Sequence, residues 1–335
     1  MDVTDATAAA RGAALPARAA SFVETLVSVG IVVLSLSAAL AEAARLHWLA
    51  ELFSHFRLQY ATGLAVLALV LLALKRRPTA LTAVAGVFMA LAATHVVRAT
   101  SGTAPRSVST ASSVKLLSFN VEGANDRLAE AAATILGARP DVVLILEWKP
   151  KHATGLAPSL VAAGLTPVVT MPRDDDFGIA LFSRLPVLSS ALRYWGGQLP
   201  PPSVLAELAV GERTLRIAGV HAVPPGPSGA TARRDALLLD AASELARLDG
   251  PRVLAGDFNL TPWAPVFKDV LRLSGLADSR GQGLHLTWPG RAPLYPLFLI
   301  PIDHVLVSPD VSAARREELS PSGSDHFAVA VTLGL

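Results

Sequence analysis

Val253-Leu254-Ala255-Gly256-Asp257-Phe258-Asn259-Leu260-Thr261-Pro262-Trp263 sets three apolar residues, a glycine and two polar residues of complementary chemistry in immediate succession. Val253 to Ala255 read as a short buried strand, and Gly256 lets the backbone turn sharply at its end. Asp257 and Asn259 stand two apart, so in an extended chain both point to one face. An anionic acceptor beside an amide donor, at the mouth of a sheet, suits the orientation of a water toward a phosphate. The same residues also form ordinary Asx-type turns, so the choice between the two readings depends on partners elsewhere in the chain.

Such partners recur at the ends of other apolar runs. Asn120 and Glu122 close Leu116-Leu117-Ser118-Phe119, Glu147 follows Leu144-Ile145-Leu146, and His221 follows Ala218-Gly219-Val220. Asp303 follows Pro301-Ile302, and Asp325-His326 precede Phe327. Charged groups beside a core are costly unless paired or bound to a cation. Their recurrence therefore asks for a shared cause, and a metal-assisted phosphate site supplies one. Hard oxygen ligands such as Glu147 suit Mg²⁺, Mn²⁺ or Ca²⁺. The chain has no cysteine, which excludes disulfides, thiolate metal sites and a cysteine nucleophile.

From residue 114 onward, strand and helix patterns alternate. Strands are predicted over 115–121, 141–146, 166–170, 178–183, 187–194, 204–210, 214–220, 253–256, 302–308 and 326–333. Helices are predicted over 126–137, 154–163, 230–248 and 265–273. Many strands with few helices imply two packed sheets with helices outside.

The first third differs in kind. Of the 335 residues, 52% are apolar and 17% charged, and residues 1–110 carry nine Lys and Arg against five Asp and Glu. The remaining 225 residues are slightly acidic, with 20 basic against 22 acidic side chains, which argues against a broad basic surface for long nucleic acid. Apolar runs at 21–41, 58–74 and 79–97 are read as three transmembrane helices, with a signal peptide as the alternative for the first. Lys75-Arg76-Arg77 lies between the second and third without a compensating acid, so the positive-inside rule puts that loop in the cytoplasm and the chain after Val97 outside. The connection from Glu42 to Arg57 is either a short surface helix or ordinary packing against the spans. Residues 99–113 are small and polar, a flexible linker with a typical reach of roughly 20 Å. The expected division is thus a membrane region (1–98), a linker (99–113) and a catalytic domain (114–335).

Taken together, Ser118-Phe119-Asn120-Val121-Glu122-Gly123, Glu147-Trp148-Lys149, Gly178-Ile179-Ala180-Leu181-Phe182-Ser183-Arg184, His221 before Pro224-Pro225, Gly256-Asp257-Phe258-Asn259, Thr287-Trp288, Ile302-Asp303-His304 and Ser324-Asp325-His326 resemble the endonuclease/exonuclease/phosphatase superfamily, the group of deoxyribonuclease I, apurinic endonucleases, neutral sphingomyelinases and inositol polyphosphate 5-phosphatases. The resemblance covers 114–335 and implies an α/β fold, a four-layered α/β sandwich of two mixed sheets flanked by helices. It does not extend to the helical transmembrane region that precedes it. It implies Glu147 as principal metal ligand with Asn120 beside it, Glu122 as a second acidic ligand and Asp325 near the metal. It further implies Asp257 as the group that orients or deprotonates water, Asn259 as a donor to phosphate, Asp303 as the partner of His326, and His326 as the stabiliser of phosphoryl charge. His221 matches a histidine near the leaving group, a candidate general acid. Trp288 and Arg184 are assigned to substrate binding, Trp288 with packing as its alternative.

Two other motifs stand outside this set. Arg173-Asp174-Asp175-Asp176 is read as an exposed acidic turn, with cation binding as its alternative, and Arg233-Arg234 as a solvated helical face, with a phosphate contact from a helix start as its alternative. The expected protein is a membrane-anchored, Mg²⁺-dependent phosphoesterase (Mn²⁺ or Ca²⁺ also suiting the ligands), with a phosphodiester favoured. It would sit in the cell inner membrane as a multi-pass protein with a periplasmic catalytic domain, act on a lipid headgroup or nucleotide-like ester, and hold no stable nucleic-acid partner. An extracytoplasmic nuclease and a noncatalytic binding module are the alternatives.

Overall fold

The computed structural model of the chain describes residues 17–74, 80–100, 113–197, 200–290 and 295–335. Lys75-Arg76-Arg77 and most of the expected linker lie outside the described residues. Four helices come first: α1 (Ala17–Glu42), α2 (Trp48–Ser54), α3 (Arg57–Ala73) and α4 (Ala80–Thr100). The rest runs β1 (Ser113–Asn120), α5 (Leu128–Gly137), β2 (Val142–Leu146), α6 (Pro150–Gly155), α7 (Ala157–Ala162), β3 (Thr166–Met171), β4 (Ile179–Ser183), β5 (Val187–Arg193), β6 (Ser203–Val210), β7 (Arg213–His221), α8 (Ala230–Ala246), β8 (Arg252–Asp257), α9 (Pro265–Ser274), β9 (Ala277–Asp278), α10 (Tyr295–Phe298), β10 (Asp303–Val307), β11 (Ser312–Leu319) and β12 (Ala328–Gly334).

The strands form two six-stranded mixed sheets, ordered β11-β12-β1-β2-β4-β3 and β5-β6-β7-β8-β10-β9. Each is built on a central parallel pair, β1 with β2 and β7 with β8, flanked by antiparallel neighbours. Successive apolar side chains point to opposite faces along these strands, so each strand feeds two layers. Leu116, Leu144, Ile217 and Val253 fill the space between the sheets. Phe119, Val143 and Ile145 face α5, α6 and α7, and Ala218, Val220 and Leu254 face α8 and α9. This is the four-layered sandwich expected from the sequence.

Two local departures have physical causes. The helix expected over 154–163 is two short helices that meet at Leu156, with Pro150 and Pro158 each in a first turn, where a missing N–H is tolerated. The edge strand β11 was not foreseen, because Ser312-Ala313-Ala314-Arg315-Arg316-Glu317-Glu318-Leu319 lacks an apolar alternation. Among the described residues it pairs only with β12.

α1 and α4 contain segments long and apolar enough to cross a bilayer, Ser21–Glu42 and Leu81–Ala99. α2 and α3 meet that test together, as a pair bent by 59°. The three long helices pack through Ile31, Leu64, Leu71 and Ala85, and turn Phe22, Val33, Leu36, Leu69 and Val87 outward. An outward apolar face of this extent is what a hydrocarbon environment accommodates.

Candidate active site

Strand direction gathers the polar residues. Asn120, His221 and Asp257 are the last residues of β1, β7 and β8, and Glu147 follows the end of β2. All four therefore stand at the C-terminal ends of the two parallel pairs. β10 runs antiparallel to β8 with Asp303 directly opposite Asp257, and β12 runs antiparallel to β1 with His326 just before it. Both additions thus arrive at the same end of the sandwich. Gly256 makes the crowded end of β8 possible: its φ is +138°, and a Cβ there would fall 1.9 Å from the Val220 carbonyl oxygen. Gly178 does the same between β2 and β4 of the other sheet, since a Cβ would meet the Trp148 carbonyl oxygen at 1.9 Å.

The side chains lock together behind a cavity of about 540 Å³. Asn120 Nδ2 donates to Glu147 Oε1 at 3.0 Å and to Asp257 Oδ2 at 3.2 Å. Glu147 Oε2 accepts from the Gly123 N–H at 2.5 Å. Asp257 Oδ1 accepts from the Asn259 N–H at 2.8 Å, and Asn259 Nδ2 donates to the Ala222 carbonyl at 2.9 Å. Asp303 Oδ2 lies 2.9 Å from His326 Nδ1, which leaves His326 Nε2 facing Asp257 Oδ2 at 3.7 Å. His221 Nε2 approaches the same Asp257 oxygen at 3.6 Å. Trp288 Nε1 donates to Asp325 Oδ2 at 2.9 Å.

The electrostatics follow from burial and neighbours. Burial, followed by repulsion from Asp303, pushes the Asp257 carboxyl well above the ordinary aspartate range. Burial also raises Glu147, against the opposing donors Gly123 and Asn120. For His326, burial would lower the proton affinity, yet Asp303 and Asp257 carry it well above the histidine range, so it is charged at neutral pH. Burial and then the His326 charge depress His221 to about 4, so His221 stands uncharged beside a charged imidazole.

Of the sequence-assigned residues, Glu147, His221, Asp257, Asn259, Trp288, Asp325 and His326 line the cavity, and Asn120 and Asp303 back them through hydrogen bonds. Glu122 is half-buried, with its N–H donating to Asn120 Oδ1 at 3.1 Å, and is not part of the described cavity wall. Arg184 is brought elsewhere. β4 runs antiparallel to β2, so the residue after Ser183 emerges at the opposite end of the sheet, where its guanidinium binds the Pro140 and Ala163 carbonyls. Arg184 is a clamp for that end rather than a substrate contact.

One other expectation holds and one is corrected. The acidic turn is exposed as expected, with Asp175 held by Arg173 as a surface pair and Asp176 at the cavity rim, paired with Lys149 at 3.0 Å. Arg233 is exposed as expected, whereas Arg234 is wholly buried, because it reaches Glu51 at 3.1 Å, Asp235 at 2.6 Å and the Asn259 carbonyl at 3.3 Å.

Glu51 belongs to α2, which packs against the catalytic domain. His55, just after α2, sets Nδ1 3.0 Å from Thr261 Oγ1, and Leu52, His55 and Phe56 form part of the cavity wall. Arg45 pairs with Asp269, Gln59 donates to the Leu299 carbonyl, and Arg280 donates to the Ala99 carbonyl. The catalytic domain is therefore docked on the helical bundle, and a tether reaching freely over roughly 20 Å does not describe their relation. Nothing local in the sequence signalled Leu52, His55 or Phe56, since their partners lie about two hundred residues away.

Metal-binding capacity can be judged from the donor set. Glu147 and Asp325 both present carboxylates to the cavity, and Glu147 meets only neutral donors in its hydrogen bonds. Such a carboxylate, raised by burial, suits a hard divalent cation. Asp257, Asp303 and His326 also cluster closely enough to hold an ion. Two of those three already bond one another, however, which leaves Glu147 the better anchor.

The sequence model described as "Endonuclease/Exonuclease/phosphatase family" matches residues 117–326. No curated protein matches the chain. Among solved structures, zebrafish (D. rerio) TDP2 complexed with a single-strand DNA product is 19% identical with a TM-score of 0.55, covering 67% of this chain and 100% of its own. The human Nocturnin catalytic domain with bound sulfate is 18% identical with a TM-score of 0.55, covering 66% and 94%. An endonuclease/exonuclease/phosphatase from Bacteroides vulgatus is 18% identical with a TM-score of 0.55, covering 67% and 99%. At these identities the structures attest the fold alone. The family match spans well over half of the chain and takes in Asn120 to His326, the whole constellation at the C-terminal strand ends, and so this chain belongs to the endonuclease/exonuclease/phosphatase family of phosphate-ester hydrolases.

Proposed function

We propose that this protein is a membrane-anchored phosphodiesterase, dependent on a divalent cation, that cleaves lipid-borne phosphate esters at the extracytoplasmic face of the inner membrane. One observation carries the reading: the cavity that holds Glu147, Asp257 and His326 is also walled by Leu52, His55 and Phe56, from the segment between two apolar helices. Water-soluble substrates have no need of such a wall. The slight negative charge of the catalytic region also disfavours long duplex DNA, whose grip needs many cationic contacts.

In this mechanism Glu147 and Asp325 would hold the cation, with Asn120 fixing Glu147. The cation supplies Lewis-acid neutralisation of the phosphate oxygens when bound. Asp257 orients the attacking water and accepts its proton, a task suited to a carboxylate whose proton affinity is raised. Asn259 turns Asp257 through its N–H. His326, kept charged by Asp303, stabilises negative charge that grows on the phosphoryl oxygens. His221 begins uncharged, so it donates a hydrogen bond to the leaving oxygen, and the approach of an anionic ester favours its protonation.

The protein in lipid nanodiscs, given Mg²⁺, is expected to hydrolyse a phospholipid diester faster than plasmid DNA in the same mixture. EDTA should abolish the activity, and Mg²⁺ or Mn²⁺ should restore it. Rapid plasmid nicking with untouched lipid would instead favour a nuclease, the second reading, which the single-strand DNA product bound to zebrafish TDP2 supports.

A further inference from the structure

The outer flank of the bundle carries a second concavity that the chemistry above does not use. It is an apolar groove of about 480 Å³ between α1 and α3, lined by Leu34, Gln59, Thr62, Gly63, Val66 and Leu297. Gly63 leaves its floor without a side chain, and a Cβ there would come within 2.8 Å of Leu34. Val66 and Leu297 are 57% and 61% exposed, so the groove opens outward among the apolar faces of the bundle.

Its position relative to the catalytic cavity is what gives it meaning. Phe56 and Ile300 line the cavity, while Gln59 and Leu297, each three residues away, line the groove. Gln59 Nε2 joins the two segments by its 2.9 Å bond to the Leu299 carbonyl. From Gln59 to Val66 the groove follows α3 for about 10 Å at the helical rise. The groove thus begins about one helical turn along α3 from the cavity wall, on the flank of a proposed membrane span.

We propose that this groove seats the aliphatic chain of the substrate lipid while its phosphate ester reaches Glu147 and His326. The assignment rests on the lipid-ester reading above and adds where the chain lies. The occupant is a hydrocarbon chain rather than a protein helix for two reasons. The groove faces the surface that hydrocarbon would bathe, and it begins beside the cavity wall, within the span of a single head-and-chain molecule. Seating the chain along α3 fixes the distance of the ester from the bilayer, so Phe56 and the groove select for esters that carry a chain.

Two substrates with one leaving group test it: soluble bis(p-nitrophenyl) phosphate, and phosphatidyl-p-nitrophenol in nanodiscs, both given to the full chain with Mg²⁺. Thr62 is exposed and bonds only backbone carbonyls of its own helix, so Thr62→Trp covers the groove without entering the core. We expect kcat/KM for the lipid ester to fall about tenfold or more, the equivalent of roughly two methylenes no longer buried, with the soluble ester unchanged. Equal losses on both esters, or no loss on either, overturn the proposal. Photolabelling reads the same contact without turnover. A phosphatidyl ester with a mid-chain diazirine should label the 59–66 segment in the wild type and in Asp257→Asn, and lose that label in Thr62→Trp. Absence of label there, or protein–protein adducts in its place, overturns the groove assignment even where hydrolysis is seen. Label at 59–66 with no ester cleaved overturns the hydrolase reading and leaves the groove standing.

Discussion

Asp257 illustrates how one residue is defined by its neighbours. Its Oδ1 is committed to the Asn259 N–H, and its Oδ2 receives Asn120 while facing both His221 and His326. Replacing it by Asn removes the proton acceptor and keeps the shape. Asp257→Asn should lower kcat by about a hundredfold or more, the contribution of a positioned base, with an unchanged thermal midpoint or a higher one, since a buried carboxyl of raised proton affinity is lost. A near wild-type rate would remove Asp257 from the chemistry. His221 offers a finer test. Loss of its hydrogen bond to a leaving alkoxide should slow His221→Ala on alkyl diesters far more than on activated aryl esters, and equal losses would exclude that role. His304, one residue from Asp303, is buried against Phe258 and Phe267 with Nε2 2.8 Å from the Leu260 carbonyl. Burial lowers its pKa to about 4. The unfolded chain then binds the extra proton first, so this contribution is complete above the ordinary histidine pKa and is lost as pH falls toward 4. The thermal midpoint should drop on going from pH 7 to 5, and less steeply in His304→Gln; parallel curves would show that another group sets the slope. At this scale the site was legible wherever a polar residue directly followed an apolar run, as Asn120, Glu147, His221 and Asp257 do. Asp176 and His55 carry no such mark, because only the folded chain brings them to the cavity.

Among the elements, α2 does most to change the sequence reading. The Glu42–Arg57 connection allowed either a surface helix or packing against the spans, and α2 packs both on α1 and on the catalytic domain. The reason lies in Glu51 and Arg234, two ionisable groups withdrawn from water that meet at 3.1 Å. Charges so buried have to pair, and neither pattern alone announces the other. Asp235 shares the guanidinium, and Arg234 also reaches the Asn259 carbonyl, so the same link steadies the loop that carries Asn259. Glu51→Ala leaves a buried cation short of one partner and should destabilise the chain by about 3 kcal/mol. The matched apolar pair Glu51→Leu with Arg234→Met should recover most of that stability. Recovery by the pair, read from thermal midpoints in detergent, separates a pairing defect from simple loss of packing. The strand pattern was otherwise legible because burial on both faces gave β1, β2, β4 and β8 continuous apolar runs. β11 was not, since an edge strand with Arg315, Arg316, Glu317 and Glu318 has the composition of a loop.

At the scale of the whole molecule, the bundle has two distinct ends. Glu42 at the end of α1 meets Arg57 at the start of α3 and His95 near the end of α4, so these three termini cluster. The catalytic domain docks there, through Arg45, Glu51, Gln59 and Ala99. By connectivity, the last residue of α3 and the first of α4 stand at the other end, and the sequence between them contains Lys75-Arg76-Arg77. If the bundle crosses a bilayer, the end of α3 and the start of α4 lie on the side away from the catalytic domain. Moving basic loops outward is disfavoured, so we infer that the catalytic domain faces away from the cytoplasm. A reporter that fluoresces only in the cytoplasm, fused after Leu335, should stay dark, while one active only outside should work. Replacing Lys75, Arg76 and Arg77 together by Gln should weaken this preference and produce a mixed population. A bright cytoplasmic reporter on the unaltered chain would place Glu147 and the wall formed by Leu52 and Phe56 at the inner leaflet, and would move the search for the lipid ester to that side.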